Sequence, residues 1–309
     1  MNPAPSVILF TTLSGAGYGM AAVAGLLWPA LGPTPPALAL TTMGLALTAI
    51  VIGLSASVFH LGRPERAWRA LSQWRTSWLS REGIAALAGF PLIAAFAVAW
   101  AFPIMAAGAT LILGIAAAAA SFLTLFTTAM IYRSLKPIAA WHHPLVTPIY
   151  MVLGPMTGAL AIHAIATANG VTSPTLTAGA LALLVAGGTL KTLYWRSIDA
   201  DRGLTTADAI GLPGATARSI EWPHTEANYL LKEMSFVIAR RHAARLRRVA
   251  GGLGWIVPGA LIILGLTLSG VALVTSTIAA ALSSIAGVIV ERWLFFAEAR
   301  HTVSLYYGR

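Results

Sequence analysis

ALALTTMGLALTAIVIGLSASVFH (37–60), LGRPERAWRALSQWRTSWLSRE (61–82) and GIAALAGFPLIAAFAVAWAF (83–102) follow one another without a gap. The outer two contain no Asp, Glu, Lys or Arg, while the middle one carries Arg63, Glu65, Arg66, Arg69, Arg75, Arg81 and Glu82. A helix needs about 20 apolar residues to cross the ~30 Å hydrocarbon layer of a bilayer, so the stretch reads as two membrane helices joined by a charged hairpin. The pattern extends in both directions to eight apolar segments, near 7–31, 37–60, 83–102, 106–132, 145–168, 175–196, 253–272 and 277–297. The expected fold is an all-α integral membrane protein, a bundle of eight transmembrane helices forming one polytopic domain over 1–309.

Composition agrees, with 57% apolar and 10% charged residues and a mean hydropathy of +0.77, far from the balance of a soluble domain. All ten Asp/Glu and all twenty Lys/Arg read as falling on one side of a membrane, in or beside 60–82, 133–144, 197–252 and at the C-terminal end. The connections near 28–36, 101–107, 168–174 and 270–276 carry no charge. Because Lys and Arg are retained in the cytoplasm, both termini and the charged face are expected there, in a multi-pass protein of the bacterial inner membrane. The net charge of +10 then reflects topology and attraction to anionic lipid headgroups, not nucleic acid. With no cysteine, the chain holds neither a disulfide nor a thiolate-ligated iron–sulfur cluster. The opening MNPAPS lacks a basic n-region, so the first apolar run reads as a retained helix and not a signal peptide.

No soluble domain is visible. The longest connection, 197–252, reads as a punctuated loop followed by a basic helix. In that helix Leu230, Leu231, Met234, Val237 and Ile238 recur at helical spacing, and Arg240, Arg241, Arg245, Arg247 and Arg248 crowd its end. It is expected to lie on the cytoplasmic leaflet. Gly15, Gly17, Gly19, Ala22 and Gly25 give the first span a small-residue face for close helix contact, and 116–120, five alanines, suggest a second crowded crossing. No internal repeat of the kind that marks two-halved transporters is evident.

Chemistry is sought in the hairpin, where five arginines alternate with Trp68, Trp74 and Trp78 between His60 and Glu82. Adjacent antiparallel helices bring an imidazole and a carboxylate together at the membrane edge beside an apolar cleft. A quinone site needs such groups, since two protons move with two electrons and must be exchanged with water. Ionisable groups at membrane depth are costly and tend to be functional. The plainer reading is that both residues cap helices in the headgroup zone, where the dipole favours Glu82 at a helix start. Residue physics leaves both readings open.

HLGRPERAWRALSQWRTSWLSRE (60–82) resembles the membrane-anchor subunits of the dimethyl sulfoxide reductase family, which includes the related sulfite-oxidising complexes. MIYRSLKPIAAWHHPLVTPIY (130–150) and ERWLFFAEARHTVSLYYG (291–308) resemble it too, as does the spacing of eight spans. The resemblance implies a quinone-binding anchor, for menaquinone or ubiquinone, that exchanges electrons with an iron–sulfur subunit paired to a molybdopterin catalytic subunit. His60 and Glu82 match the family's quinol-site pair by motif, with Arg63 and Arg81 beside them. The cytoplasmic charge bias points to a sulfite dehydrogenase-like complex. The alternatives are a menaquinol-oxidising anchor of the dimethyl sulfoxide reductase type, or a structural tether without quinone chemistry. Alone, the chain is not expected to catalyse a complete reaction.

His142 and His143 open the fifth span and read either as interfacial residues or as a proton path. His163 lies deep toward the uncharged side with no histidine at matching depth, so haem is not expected. Glu291 and Arg292 are adjacent in the last span and point about 100° apart on a helix, one toward the bundle and one toward the headgroups. Glu291 is a second proton-transfer candidate or one half of an ion pair. His224, Glu226 and Glu233 in HTEANYLLKEM (224–234), beside Arg218, are expected to dock the iron–sulfur subunit. A secondary transporter would need broken helices with midplane charges, which this chain's central layer largely lacks.

Overall fold

The computed structural model describes residues 3–59, 63–201, 203–217, 220–221 and 238–307, with backbone only for 238–241 and 306–307. The main helices are α1 (Pro5–Leu27), α2 (Pro36–Val58), α3 (Trp78–Ala101), α4 (Ala107–Arg133), α5 (Val146–Ala168) and α6 (Pro174–Ala200). A short α7 (Thr206–Ala209) precedes α8 (Ile238–Gly251), which passes through a π turn (Gly252–Ile256) into α9 (Val257–Gly265), and α10 (Gly270–Ala297) ends the bundle. Among the described residues, eight helices are long and apolar enough to cross a membrane.

Local chemistry sets the helix ends. Pro5, Pro36 and Pro174 stand in the first turn of their helices, where a fixed φ helps and no N–H is needed. Ser173 caps α6 by accepting from the Leu176 N–H (3.3 Å) and donates to the Ala30 carbonyl (3.1 Å), tying two uncharged connections together. Gly270, at φ +56°, makes the turn between α9 and α10, a conformation costly to any residue with a Cβ.

Burial separates an inner pair from an outer ring. Over an apolar stretch of 18 residues in each span, 78% and 83% are buried in α1 and α5, against 28–44% in the other six. Apolar side chains gain nothing by leaving lipid for protein, so contact at the centre depends on close backbone approach through small residues. A Cβ on Gly19 or Gly158 would collide with the facing backbone of α5 or α1, and one on Gly25 with the Gly114 carbonyl of α4. On the α2 side, a Cβ on Gly17 would lie 2.6 Å from the Ala46 carbonyl oxygen. The small-residue face expected in the first span is therefore real and serves three neighbours at once.

Two boundaries differ from the sequence expectation. The basic segment from Ile238 is not separate from the seventh span; it runs through the π turn into α9. The turn before the last helix falls at 266–269, inside what hydropathy reads as the seventh span. The π turn is held by α10: Ser283 Oγ donates to the Leu253 carbonyl (2.8 Å) and Ser284 Oγ to the Gly254 carbonyl (3.2 Å). These bonds satisfy backbone groups that a wide turn leaves exposed in an apolar medium. The expected docking residues Arg218, His224, Glu226 and Glu233, and the helical residues up to Val237, lie outside the described residues.

Candidate functional site

The hairpin between α2 and α3 is a 3-10 helix, Pro64–Gln73, followed by a turn. His60 lies outside the described residues, and Arg63, the residue before this helix, is exposed. Ser80 Oγ bonds the Ala70 carbonyl, and Leu71 reaches Gly83, so the hairpin folds back on the start of α3. Arg81 closes it: Nε donates to the Trp74 carbonyl (2.8 Å), Nη2 to the Arg75 carbonyl (2.7 Å), and the guanidinium lies 4.2 Å over the Trp78 ring. Its donors are thus engaged in holding the loop.

Glu82 sits one turn into α3 and only 4% exposed. Its carboxyl is bonded to the Thr128 hydroxyl of α4, which also lies 2.9 Å from the Thr124 carbonyl. A hydroxyl has one proton. When Glu82 is ionised, Thr128 donates to it; when Glu82 is protonated, it donates to Thr128, whose own proton turns to the Thr124 carbonyl. Both charge states keep a partner, so a proton can come and go without orphaning a buried group. Nearby, Trp78 meets Phe126 edge to face at 6.0 Å, an apolar aromatic wall at the same end of the bundle.

A second buried polar group occupies the other flank of the central helices. Lys191 Nζ of α6 lies 2.5 Å from Glu291 Oε1 of α10, and Arg292 Nε lies 3.6 Å from Glu291 Oε2. All three side chains are at most 3% exposed. Glu291 and Arg292 therefore both face inward, which corrects the expectation that one turns to the headgroups. Helical spacing permits this because Arg292 bends its long stem to lay the guanidinium 3.8 Å over the Tyr150 ring. Lys191 likewise stands 4.1 Å over Tyr194. Sequence reasoning missed Lys191 as the ion-pair partner; the available signal was a lone lysine in the apolar part of its span.

Of the two histidines in the 134–145 connection, His143 reaches this group, its ring 5.4 Å from Tyr194, over which Lys191 stands. His142 Nδ1 lies 2.5 Å from the Arg133 carbonyl. His143 Nε2 lies 2.8 Å from Ser197 Oγ, its Nδ1 accepts from the Leu145 N–H (3.2 Å), and burial holds its pKa below the usual value against the pull of Asp201. Trp141 Nε1 donates to the Phe295 carbonyl (2.9 Å) and Tyr194 Oη to the Ala140 carbonyl (2.9 Å), packing the connection onto α6 and α10. His163, at the opposite end, pairs through Nε2 with Thr177 Oγ1 (3.0 Å). Among the described residues, no three His, Asp or Glu side chains form a metal-binding group.

At the charged face Arg247 bonds both Glu298 (Nε to Oε1, 3.0 Å) and Asp199 (Nη1 to Oδ2, 2.6 Å). Burial pushes the Glu298 carboxyl above the usual range, opposed by Arg247. These residues and Asp201, Gly203 and Arg300 line an open cleft of about 490 Å³.

The comparisons with known proteins fit this arrangement. The family model described as DMSO reductase anchor subunit (DmsC) matches residues 1–308. A sulfite dehydrogenase subunit of Allochromatium vinosum is 36% identical, over 99% of this chain and 99% of its own length. With eight membrane-length helices and this match over its whole length, the chain belongs to the DMSO reductase anchor subunit family, as a membrane-embedded anchor of an oxidoreductase complex.

Proposed function

We propose that the chain binds a quinone at the α2–α3 hairpin and passes electrons between the quinone pool and an iron–sulfur subunit of a molybdopterin oxidoreductase, most closely of the sulfite-oxidising kind. The observation that carries this reading is Glu82, a buried carboxyl whose hydrogen bond to Thr128 serves either protonation state. The quinone, when bound, supplies two-electron redox chemistry coupled to two protons. Glu82 holds and releases one proton, and His60, its partner by sequence motif, exchanges the other. Arg81 holds the hairpin closed against the start of α3, and Trp78 with Phe126 offers an apolar aromatic face near Glu82. The name of the Allochromatium relative and the cytoplasmic charge bias support the sulfite-oxidising assignment. The charged face, including the Asp199–Arg247–Glu298 cluster, is then the docking surface for the iron–sulfur subunit.

The test is quinone-linked turnover of the assembled complex carrying His60→Leu or Glu82→Gln. Each variant is expected to lose about 10²–10⁴-fold in that rate, while turnover with a dye that serves the partner subunits directly stays unchanged. Normal quinone-linked rates in both variants would remove the hairpin from the site. Sidedness is tested separately by alkaline phosphatase fusions, expected active after Gly32 or Gly170 and inactive after Asp201. The reverse pattern would place the partners outside the cytoplasm.

A further inference from the structure

Four charged side chains are buried among the described residues: Glu82, Lys191, Glu291 and Arg292. The quinone reading uses only Glu82. The other three leave one positive charge in excess, because two cations share a single carboxylate. A buried ion pair adds little stability over apolar residues of the same size, so its cost asks for another reason.

The surroundings supply one. Arg292 Nη1, Tyr150 Oη and Thr12 Oγ1 are buried and make no hydrogen bond within the described residues. All three residues, from α10, α5 and α1, line one small cavity that leaves about 10 Å³ for the centre of a water molecule. That is room for one water with three polar partners, the usual coordination of a buried water. Ring contacts also link the triad to two groups at the charged end of the bundle. Toward the hairpin, Arg292 covers Tyr150, Tyr150 stacks on Tyr132 with centroids 5.8 Å apart, and Tyr132 stands one turn along α4 from Thr128, the partner of Glu82. Toward the Asp199–Arg247–Glu298 cluster, Lys191 and Arg247 lie 5.1 and 5.7 Å from the Trp195 ring, and Arg247 holds Asp199, which is 61% exposed.

We propose that the Lys191–Glu291–Arg292 triad, hydrated by one water held between Thr12, Tyr150 and Arg292, is an internal proton-exchange station serving the quinone pocket. Glu291 is the group that takes up the proton and gives it back. Lys191 and Arg292 flank its two oxygens, and the water provides the mobile hydrogen bond that the guanidinium cannot. The proposal rests on the quinone reading above for its purpose, but not for its chemistry.

The experiment uses the purified complex with Glu291→Gln, Lys191→Met and the double variant. The double variant removes one charge of each sign, so the interior keeps its net charge; Arg292 loses its carboxylate and keeps its place over the Tyr150 ring. It is expected to assemble, to keep dye-linked turnover, and to lose about 10²-fold or more of quinone-linked turnover. Infrared difference spectra on quinol addition are expected to show a protonated-carboxyl band that is absent in the double variant. Thr12→Val, which keeps shape and removes one hydrogen bond to the water, is expected to slow the quinone-linked rate about tenfold. A wild-type quinone-linked rate in the double variant would make the triad a structural ion pair only, and absence of the Glu291 band would overturn the station whatever the rates. Loss in Glu82→Gln with a normal double variant keeps the hairpin pocket and removes the station. Loss in the double variant with normal Glu82→Gln keeps the station and removes Glu82 as a proton-exchanging group.

Discussion

Gly19→Ala tests how the bundle is built at its centre. A Cβ at this position would fall within the Gly154 carbonyl group and 2.7 Å from the Pro155 nitrogen, all backbone atoms of α5 that cannot rotate away. Relief requires α1 and α5, the two most buried spans, to separate. Overpacking of this kind costs about 1–3 kcal/mol, and rigid backbone partners place Gly19 at the top of that range. Gly15 is the control on the same helix, because a Cβ there meets nothing within 4 Å. Its replacement by Ala should gain about 0.5–1 kcal/mol from reduced backbone freedom. The two Ala variants are therefore expected to differ by about 3.5–4 kcal/mol, read as the midpoint of SDS-induced unfolding in mixed micelles. If Gly19→Ala unfolds at the same SDS fraction as Gly15→Ala, the close α1–α5 contact is not what holds the bundle.

Arg81→Lys retains charge but loses the planar face over Trp78 and one of two carbonyl partners. We expect a loss of about 1–2 kcal/mol in the same unfolding assay and faster proteolysis of the hairpin; an unchanged hairpin would deny Arg81 its closing role. Burial holds the His143 pKa below the usual value near 6.5, opposed by Asp201. A depressed folded pKa means its contribution is complete above the unfolded value and is lost as pH falls through the folded one. Histidine-labelled NMR should give a midpoint under 6.5, and a midpoint above it would show that Asp201 outweighs burial.

The spans were legible because each apolar run is closed by charge or by proline, as at Pro36, Arg63 and Pro174. The turn before α10 was not, since LIILGLTLSGVALV (261–274) is apolar on both sides of it and only the φ of Gly270 marks it. The glycine face of α1 could be read because small residues at helical spacing have few other uses. Glu82 stood out as a carboxylate at a span's edge, yet its partner Thr128 is one of several threonines in α4 and nothing local distinguishes it. The inward turn of Arg292 and the pairing of Lys191 with Glu291 depend on contacts between α6, α5 and α10 that no single segment encodes.

Binding of a fluorescent quinol analogue to the purified complex tests the central claim most directly. Wild type is expected to bind one analogue per complex and quench its fluorescence. Glu82→Gln, which keeps the volume and a hydrogen bond to Thr128 but cannot exchange a proton, is expected to bind with altered affinity and to lose the pH dependence of binding. Saturable binding that is identical in affinity and pH profile in wild type and Glu82→Gln, or no binding by wild type, would contradict a quinone site at this carboxyl.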